Sequence, residues 1–274
     1  MNLILFESNE VGESGEVVVS DARADHLLNV LHIEPGQEVR VGVVDGPCGI
    51  ATVQSIADGT IGLRCAFDAD TPPRPLIDLL LAVPRPKVMR RLWAQVAALG
   101  VGRIILTNAE KVERNYFDTH ILAPETYRPL LIEGLQQARD TRVPVVSIHR
   151  QFKVLVEDQL DDLFGPGLRL VADPSATRSL RDVVSGGAND RVLLAIGPEG
   201  GWNRFELDLL AAHGFQAVGM GPRTLRTDTA CVALLAITRS ARAWSGCSRT
   251  LPGTGTWQPP CNGSDCAGHC RKLS

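Results

Sequence analysis

The sequence lacks a hydrophobic run long enough to cross a membrane. No apolar stretch approaches the ~20 residues that a spanning helix needs. The amino terminus, MNLILFESNE, has neither the basic region nor the cleavage site of a secretory signal. We therefore expect a cytoplasmic protein with no membrane partner. The chain has 274 residues, of which 44% are hydrophobic and 22% charged, which is an ordinary globular composition and long enough for two domains.

The cysteines show no sign of a disulfide framework. There are seven, an odd number, and Cys48, Cys65 and Cys231 lie in apolar or turn surroundings. The segment 246–274 is rich in Gly, Pro, Ser and Thr and holds the other four cysteines with His269. Because structural zinc usually shows paired short ligand spacings, which are missing here, we predict no metal site and a disordered tail.

Positive charge is scarce in the first part of the chain. Residues 1–75 contain four basic against twelve acidic side chains, a net charge of −8, whereas residues 76–150 contain eleven basic against seven acidic, a net charge of +4. An RNA partner would be drawn to the middle segment, because phosphate contacts need Lys and Arg. Solvated helix faces have the same appearance, so the RNA-contact candidates remain a hypothesis. They are Arg85, Lys87, Arg90, Arg91, Arg139 and Arg142.

Short β-type runs separated by Gly and Pro turns predict a small β-barrel in residues 1–70. The clearest runs are 16–19, 38–41 and 50–53, and a short helix is predicted near 25–31. Three prolines stiffen the segment 71–75, which we interpret as a linker between domains.

Helical and strand patterns alternate in residues 76–245, the second predicted domain. Strands are expected at 76–83, 103–107, 143–148, 168–172, 191–196 and 216–220. Helices are expected where Met89, Leu92, Trp93, Val96 and Leu99 recur before Gly100, and again from Pro124. This alternation predicts an α/β fold, with a mostly parallel sheet covered by helices on both faces. Ordinary connection rules predict no knot.

Two glycine-containing loops follow two of the predicted strands. They are Gly197-Pro198-Glu199-Gly200-Gly201 and Gly221-Pro222-Arg223. Ligands bind where loops leave the carboxyl ends of parallel strands, so these loops predict a ligand site. The first loop lacks the Lys and Ser/Thr of a phosphate-binding NTPase. A Rossmann-type enzyme would carry its glycine fingerprint on the first strand of the domain rather than in the last third of the chain.

The order of these motifs resembles that of a known enzyme class. GPEGG, a helix, a short strand, a GPR turn and LRTDTA resemble the SPOUT class of knotted RNA methyltransferases, and within it the ribosomal RNA small subunit methyltransferase E family. The resemblance implies methylation of uridine N3 in 16S rRNA of the assembled small subunit by S-adenosyl-L-methionine. It also implies a PUA-like RNA-binding barrel, a trefoil knot and a homodimer. A non-catalytic RNA-binding protein with the same fold is the alternative.

Residue roles follow from that resemblance. The cofactor contacts that it implies are Ala172, Ile196, Gly197, Pro198, Glu199, Gly200, Gly201, Met220, Gly221, Leu225, Thr227, Thr229 and Ala230. Arg226 is the catalytic candidate, as a cation that stabilises negative charge on the uracil, and its alternative is a pair with Asp228 or with a backbone carbonyl. Glu199 could contact the cofactor, order its loop or complement a helix dipole. Asn203 and Glu206 have the spacing of a helix-capping pair.

Overall fold

The computed structural model describes residues 2–184, 191–221 and 223–243, with side chains described as far as residue 241. The predicted tail, 246–274, lies outside the described residues, as does Pro222. Two sheets of different construction follow one another along the chain. No helix in the described part is both long and apolar enough to span a bilayer.

The first sheet has five strands in the order β1-β3-β4-β5-β2. Only the β1–β3 pair is parallel, and the others are antiparallel. The predicted runs at 16–19, 38–41 and 50–53 are confirmed as strands. The strands are β1 (Ile4–Phe6), β2 (Glu16–Val19), β3 (Glu38–Val43), β4 (Cys48–Ala57) and β5 (Thr60–Phe67).

Alternation of side chains gives this sheet its core. In β2, Val17 and Val19 are buried while Glu16 and Val18 are exposed, as expected when successive side chains point to opposite faces. The helix α1 (Ala22–Asn29) adds Ala24 and Leu27 to the same core. It begins three residues earlier than predicted, because the Asp21 side chain accepts a hydrogen bond from the Arg23 amide and caps it.

The second sheet has six strands in the order β11-β9-β10-β6-β7-β8, and every neighbouring pair is parallel. This confirms the predicted α/β fold with a parallel sheet. The strands are β6 (Ile77–Ala82), β7 (Arg103–Thr107), β8 (Val145–His149), β9 (Leu168–Ala172), β10 (Val192–Ile196) and β11 (Gln216–Val218). Strand β6 is buried at every position, which is typical of a parallel sheet packed on both faces.

Helices and short helical turns connect these strands. Helix α2 has Pro86 in its first turn and precedes Gly100, whose φ is +73°, and α3 has Pro124 in its first turn, so both predicted helices are confirmed. Shorter 3₁₀ turns lie at Arg114–Asp118 and His120–Leu122, and another, Ser8–Glu10, follows β1 in the first part of the chain. The helices of this part are α2 (Pro86–Ala98), α3 (Pro124–Ala138), α4 (Phe152–Val154), a π-helical turn (Leu155–Gln159), α5 (Leu160–Phe164), α6 (Leu180–Val184), α7 (Arg204–Ala212) and α8 (Thr227–Ala243).

Several strand bounds differ from the sequence prediction. β8 begins two residues later than expected, after Pro144, which has no amide hydrogen to give to a sheet. β11 ends at Val218 because its neighbour β9 ends at Ala172, and Gly219 instead forms an isolated parallel bridge with Ser179. The three-residue strand β1, the eight-residue strand β5 and the helical segment 152–164 are elements that the sequence analysis did not name.

Polar contacts join the two sheets through the segment that precedes β8. The Thr141 hydroxyl donates to the Gly46 carbonyl at 2.7 Å, and the Asp45 amide donates to the Thr141 carbonyl at 2.8 Å. Arg142 donates to the Asp45 carbonyl at 2.8 Å, and Arg74 donates to the Asp45 carboxylate at 3.2 Å. These bonds fix the turn between β3 and β4 against the second sheet.

Candidate functional site

Three neighbouring strands of the parallel sheet, β10, β9 and β11, end at a common cavity. Because parallel neighbours present their carboxyl ends at the same edge, the loops 173–179, 197–203 and 219–226 converge there. The cavity between them has a volume of about 410 Å³, which is within the usual range for small-molecule sites. The glycine loops that predicted a ligand site therefore do line a cavity of suitable size.

Most of the predicted cofactor residues lie in the wall of this cavity. The wall contains Ala172, Ile196, Gly197, Pro198, Glu199, Gly200, Gly201, Met220, Gly221, Leu225, Thr227 and Ala230. Thr229 is exposed and lies outside the wall, because it follows Thr227 by two positions on α8 and points to another side of the helix. Thr227, in contrast, is 4% exposed and faces inward.

The loop after β10 is held in place by two neighbouring loops. The Arg85 amide donates to Glu199 Oε1 at 3.1 Å, and Lys111 Nζ donates to the Gly200 carbonyl at 2.7 Å. Within the loop the Gly201 amide donates to the Pro198 carbonyl, and Gly201 has a φ of +69°, which favours glycine. Of the interpretations considered for Glu199, the structure supports its role in ordering the loop.

A capping box starts the helix that follows this loop. The Glu206 amide donates to Asn203 Oδ1 and the Asn203 amide donates to Glu206 Oε2, both at 2.7 Å, which confirms the predicted capping pair. Glu206 is 3% exposed, and its second oxygen accepts the Glu110 amide at 2.8 Å. Both carboxylate oxygens are therefore satisfied, and Glu206 anchors α7 to the loop after β7.

The start of α8 brings the LRTDTA segment to the cavity. Asp228 accepts a hydrogen bond from Arg91 of α2 at 2.8 Å, so the considered Arg226–Asp228 pair is wrong. The Arg226 side chain is exposed, lies outside the cavity wall, and makes no ion pair or side-chain hydrogen bond within the described part of the chain. Arg223 is also exposed but lies in the cavity wall. Two cations thus flank the cavity, and only Arg223 contacts it directly.

Sequence reasoning missed part of the wall. Asp173 and Ser175 follow β9, and the rule that ligands bind at the carboxyl ends of strands could have found them once β9 was placed beside β10. Trp202 closes the wall next to Gly197, and its ring lies 5.3 Å from that of Phe152. Arg223 belongs to the second predicted glycine loop, and the wall residues that were not predicted are Asp173, Pro174, Ser175, Trp202, Leu207, Val218, Gly219, Thr224 and Leu234.

The cavity offers both apolar and polar contacts. Ile196, Val218 and Leu234 supply apolar surface. The Trp202 Nε1 group is buried and, in the described part of the chain, has no hydrogen-bond acceptor. Behind the wall, Cys231 of α8 is fully buried, and burial raises the pKa of its thiol well above the ordinary value. Cys231 is therefore a neutral core residue and not a nucleophile.

Five of the six predicted RNA contacts are exposed, and they fall into two groups. Arg85, Lys87, Arg90 and Arg91 are all exposed at the start of α2, beside the loop that carries Glu199. Arg139 is exposed in a left-handed conformation at the end of α3.

Arg142 belongs to neither group. Its side chain is 17% exposed, and it is occupied with the Asp45 carbonyl in the contact between the two sheets. The structure therefore does not support a phosphate role for Arg142, because the side chain is mostly buried and its Nη1 group already donates within the protein.

Comparison with known proteins gives the family. Residues 72–239 match the RNA methyltransferase domain family. The ribosomal RNA small subunit methyltransferase E of Treponema pallidum is 33% identical over 269 residues, covering 95% of this chain and 98% of that protein. A Borreliella burgdorferi protein, ribosomal RNA small subunit methyltransferase E 1, is 26% identical, covering 88% and 98%.

A solved structure has the same fold. The ribosomal RNA small subunit methyltransferase E of Neisseria gonorrhoeae, bound to S-adenosyl methionine, superposes with a TM-score of 0.68 at 22% identity, covering 88% of this chain and 97% of that one. The similarity to the Treponema protein extends over both sheets and nearly the whole of each chain. The chain therefore belongs to the ribosomal RNA small subunit methyltransferase E family.

Proposed function

We propose that this protein transfers a methyl group from S-adenosyl-L-methionine to N3 of a uridine in 16S rRNA, with the assembled small ribosomal subunit as its substrate. The observation that carries the proposal is the cavity at the ends of β9, β10 and β11, whose wall contains residues of both glycine loops. We also propose that the enzyme is cytoplasmic and acts as a homodimer.

The wall residues suit the cofactor. Ile196, Val218, Leu225 and Leu234 can enclose an adenine ring between apolar groups, and the Trp202 Nε1 donor is free for a polar atom of a ligand. A side chain at Gly219 would place its β-carbon 3.0 Å from the Ala176 carbonyl oxygen. Glycine at this position therefore lets the two loops of the wall lie close together. When bound, S-adenosyl-L-methionine supplies an electrophilic methyl group.

The protein's own residues contribute mainly positioning and electrostatics. The loops fixed by Glu199, Lys111 and Arg91 hold the wall rigid, so the two substrates can be held in a reactive orientation. N3 of uridine must lose its proton before it can attack, and a nearby guanidinium stabilises the negative charge that then spreads over the uracil carbonyls. Arg226 is the proposed catalytic residue, and Arg223, which lies in the wall, is the second candidate for this role.

RNA binding is proposed for the exposed cations at the start of α2. Arg85, Lys87 and Arg90 lie beside the β10 loop and can contact phosphates while the target uridine is turned out of its helix. Arg139 is the more distant candidate. We also propose a PUA-like barrel for residues 1–70, a linker at 71–75, and a SPOUT methyltransferase domain at 76–245 with a trefoil knot.

The decisive experiment measures the modification in cells and with purified components. Mass spectrometry of 16S rRNA from a strain that lacks this protein should show the loss of one N3-methyluridine, and the cloned gene should restore it. Purified protein should then methylate small subunits from that strain in single-turnover reactions. Intact 16S methylation in the deletion strain would contradict the proposal. Cofactor binding without transfer would favour the non-catalytic RNA-binding alternative.

A further inference from the structure

A second cavity lies between the five-stranded sheet and helix α3. It has a volume of about 580 Å³, and its walls include the apolar side chains of Leu5, Val44, Pro129 and Ile132. It lies apart from the candidate active site, with no wall residue in common. The proposed reaction assigns no role to this cavity, which we call the interdomain cleft.

Acidic side chains outnumber basic ones around the interdomain cleft. Glu7, Glu10, Asp21 and Glu125 line it together with only Arg23 and Arg128, a net charge of −2. Arg23 forms ion pairs with both Glu10 and Asp21. Its guanidinium lowers the pKa of each carboxyl, so both stay ionised at neutral pH.

The remaining two carboxylates differ in their partners. Arg128 pairs with Glu7 through two hydrogen bonds of 2.6 and 3.1 Å. Glu125 is exposed in the first turn of α3 and has no ion pair within the described part of the chain. The rim therefore keeps a surplus of negative charge that a cation could neutralise.

A buried amide in the cleft wall points to a polar ligand. Gln136 of α3 lines the cleft and is only 9% exposed, and its side chain makes no hydrogen bond within the described residues. The amide atoms themselves are still reached by solvent, so water in the cleft is their remaining hydrogen-bond partner. A ligand that enters the cleft could replace that water, since an amide side chain can both accept and donate.

We infer that the interdomain cleft docks a lysine- or arginine-rich protein segment of the substrate particle, and not its RNA. The apolar walls fit the aliphatic stem of a long cationic side chain, while the acidic rim and the Gln136 amide fit its charged head. Phosphates would be repelled by the surplus of carboxylates and by the net charge of −8 on residues 1–75. The proposal rests on the proposed function only in taking an assembled ribosomal subunit as the source of the segment.

The test is titration of the full-length protein with a short fluorescent arginine-rich peptide, followed by anisotropy. Gln136→Leu should weaken peptide binding by at least about tenfold, because the cation loses a hydrogen-bond acceptor inside the cleft. Glu125→Gln, on the surface, should weaken it by about threefold. Glu38→Gln is the matched control for Glu125→Gln. Glu38 is an exposed carboxylate on the five-stranded sheet, outside the cleft, so its substitution should leave the peptide affinity unchanged.

Further measurements keep the outcomes separate. A thermal melt and a calorimetric titration with S-adenosylhomocysteine report whether Gln136→Leu is folded. If it is not folded, the peptide affinity of Glu125→Gln becomes the test of the proposal. Equal peptide affinity for all variants and the parent protein would overturn the proposal. A different outcome would assign the cleft to RNA: the protein does not bind the peptide, and the cleft variants bind a single-stranded RNA oligonucleotide more weakly than the parent protein does. A parent protein that binds the peptide but does not methylate small subunits would refute the proposed function alone.

Discussion

The five-stranded sheet and the six-stranded sheet bury their strands in different ways. In β2 every second residue is exposed, whereas β6 is buried throughout, including Asp78, whose carboxylate lies 2.7 Å from the Arg191 guanidinium. A parallel sheet packed on both faces can offer side chains to a ligand only at the ends of its strands. The first sheet keeps one face available for contact with other elements. The candidate active site accordingly lies at the strand ends of the six-stranded sheet, whereas the interdomain cleft lies between the five-stranded sheet and α3.

Truncation of the buried Leu80 in β6 and of the exposed Val18 in β2 should sharpen the contrast most strongly. Leu80→Ala in β6 should cost about 2–5 kcal/mol of unfolding free energy, because a large cavity is left among side chains that cannot close around it. Val18→Ala in β2 should change stability by less than about 0.5 kcal/mol, since Val18 is 70% exposed. Urea unfolding measures both. Equal losses for the two variants would contradict the difference in burial.

Much of this contrast could be predicted from sequence, because periodicity follows directly from burial. β7 and β9 have the predicted bounds, and the glycine loops that follow β10 and β11 line the cavity as expected. Asp173 and Ser175 were missed, because their contribution depends on β9 lying between β10 and β11 and not on any local pattern.

Charged side chains were predicted less well than glycines. Sequence shows that Arg142 and Asp228 are charged, but it does not show that Asp45 and Arg91, far away in the chain, are their partners. A glycine loop is fixed by its own backbone, whereas the role of a cation depends on which groups the fold brings near it. The assignment of Arg226 therefore needs a direct test.

Loss of the proposed catalytic cation, Arg226, should have the largest effect at the carboxyl edge of the parallel sheet. Arg226→Ala should lower the methyl-transfer rate by about 10² to 10³, the usual effect of removing one group that stabilises charge in the transition state. Arg226→Lys should recover only part of the rate, because an ammonium does not reproduce a planar guanidinium. Single-turnover transfer of labelled methyl to small subunits measures the rate.

Arg223→Ala is the matched comparison, since both arginines are exposed and belong to the same loop. If Arg223→Ala loses the rate and Arg226→Ala keeps it, the cation that lines the cavity is the catalytic one. A thermal melt separates either result from unfolding. Retention of the full rate by both variants would remove the guanidinium from the mechanism.

Obstruction of the glycine loop should have a smaller effect, on cofactor affinity. Gly200→Val should weaken binding of S-adenosylhomocysteine by at least about tenfold, because the new side chain would press on Lys111, which holds the Gly200 carbonyl, and would shift a loop that forms part of the cavity wall. Its β-carbon would lie 2.7 Å from Lys111 Cδ, a flexible side chain that can move, so the fold should survive. Lys111→Ala alone tests whether the loss comes from the displaced lysine. Calorimetry that finds unchanged affinity in Gly200→Val would remove this loop from the cofactor site.

The smallest expected effect concerns acid stability and belongs to the first sheet. Arg23 lowers the pKa of Glu10 and Asp21 in the folded protein, so these carboxylates stabilise the fold at pH values above their unfolded pKa of about 4. This contribution is lost as the pH falls through the lower, folded pKa values, because the protonated groups no longer pair with Arg23.

Glu10→Gln should therefore destabilise the protein at pH 7 by less than about 1 kcal/mol, because the cluster is partly exposed and screened by solvent. The difference from the parent protein should shrink as the pH falls below about 4, and urea midpoints measured across this range would reveal it. Glu38→Gln, an exposed carboxylate on the same sheet, is the control and should follow the parent curve. A difference in midpoint that stays constant down to the lowest pH would mean that Glu10 acts through packing and not through its charge.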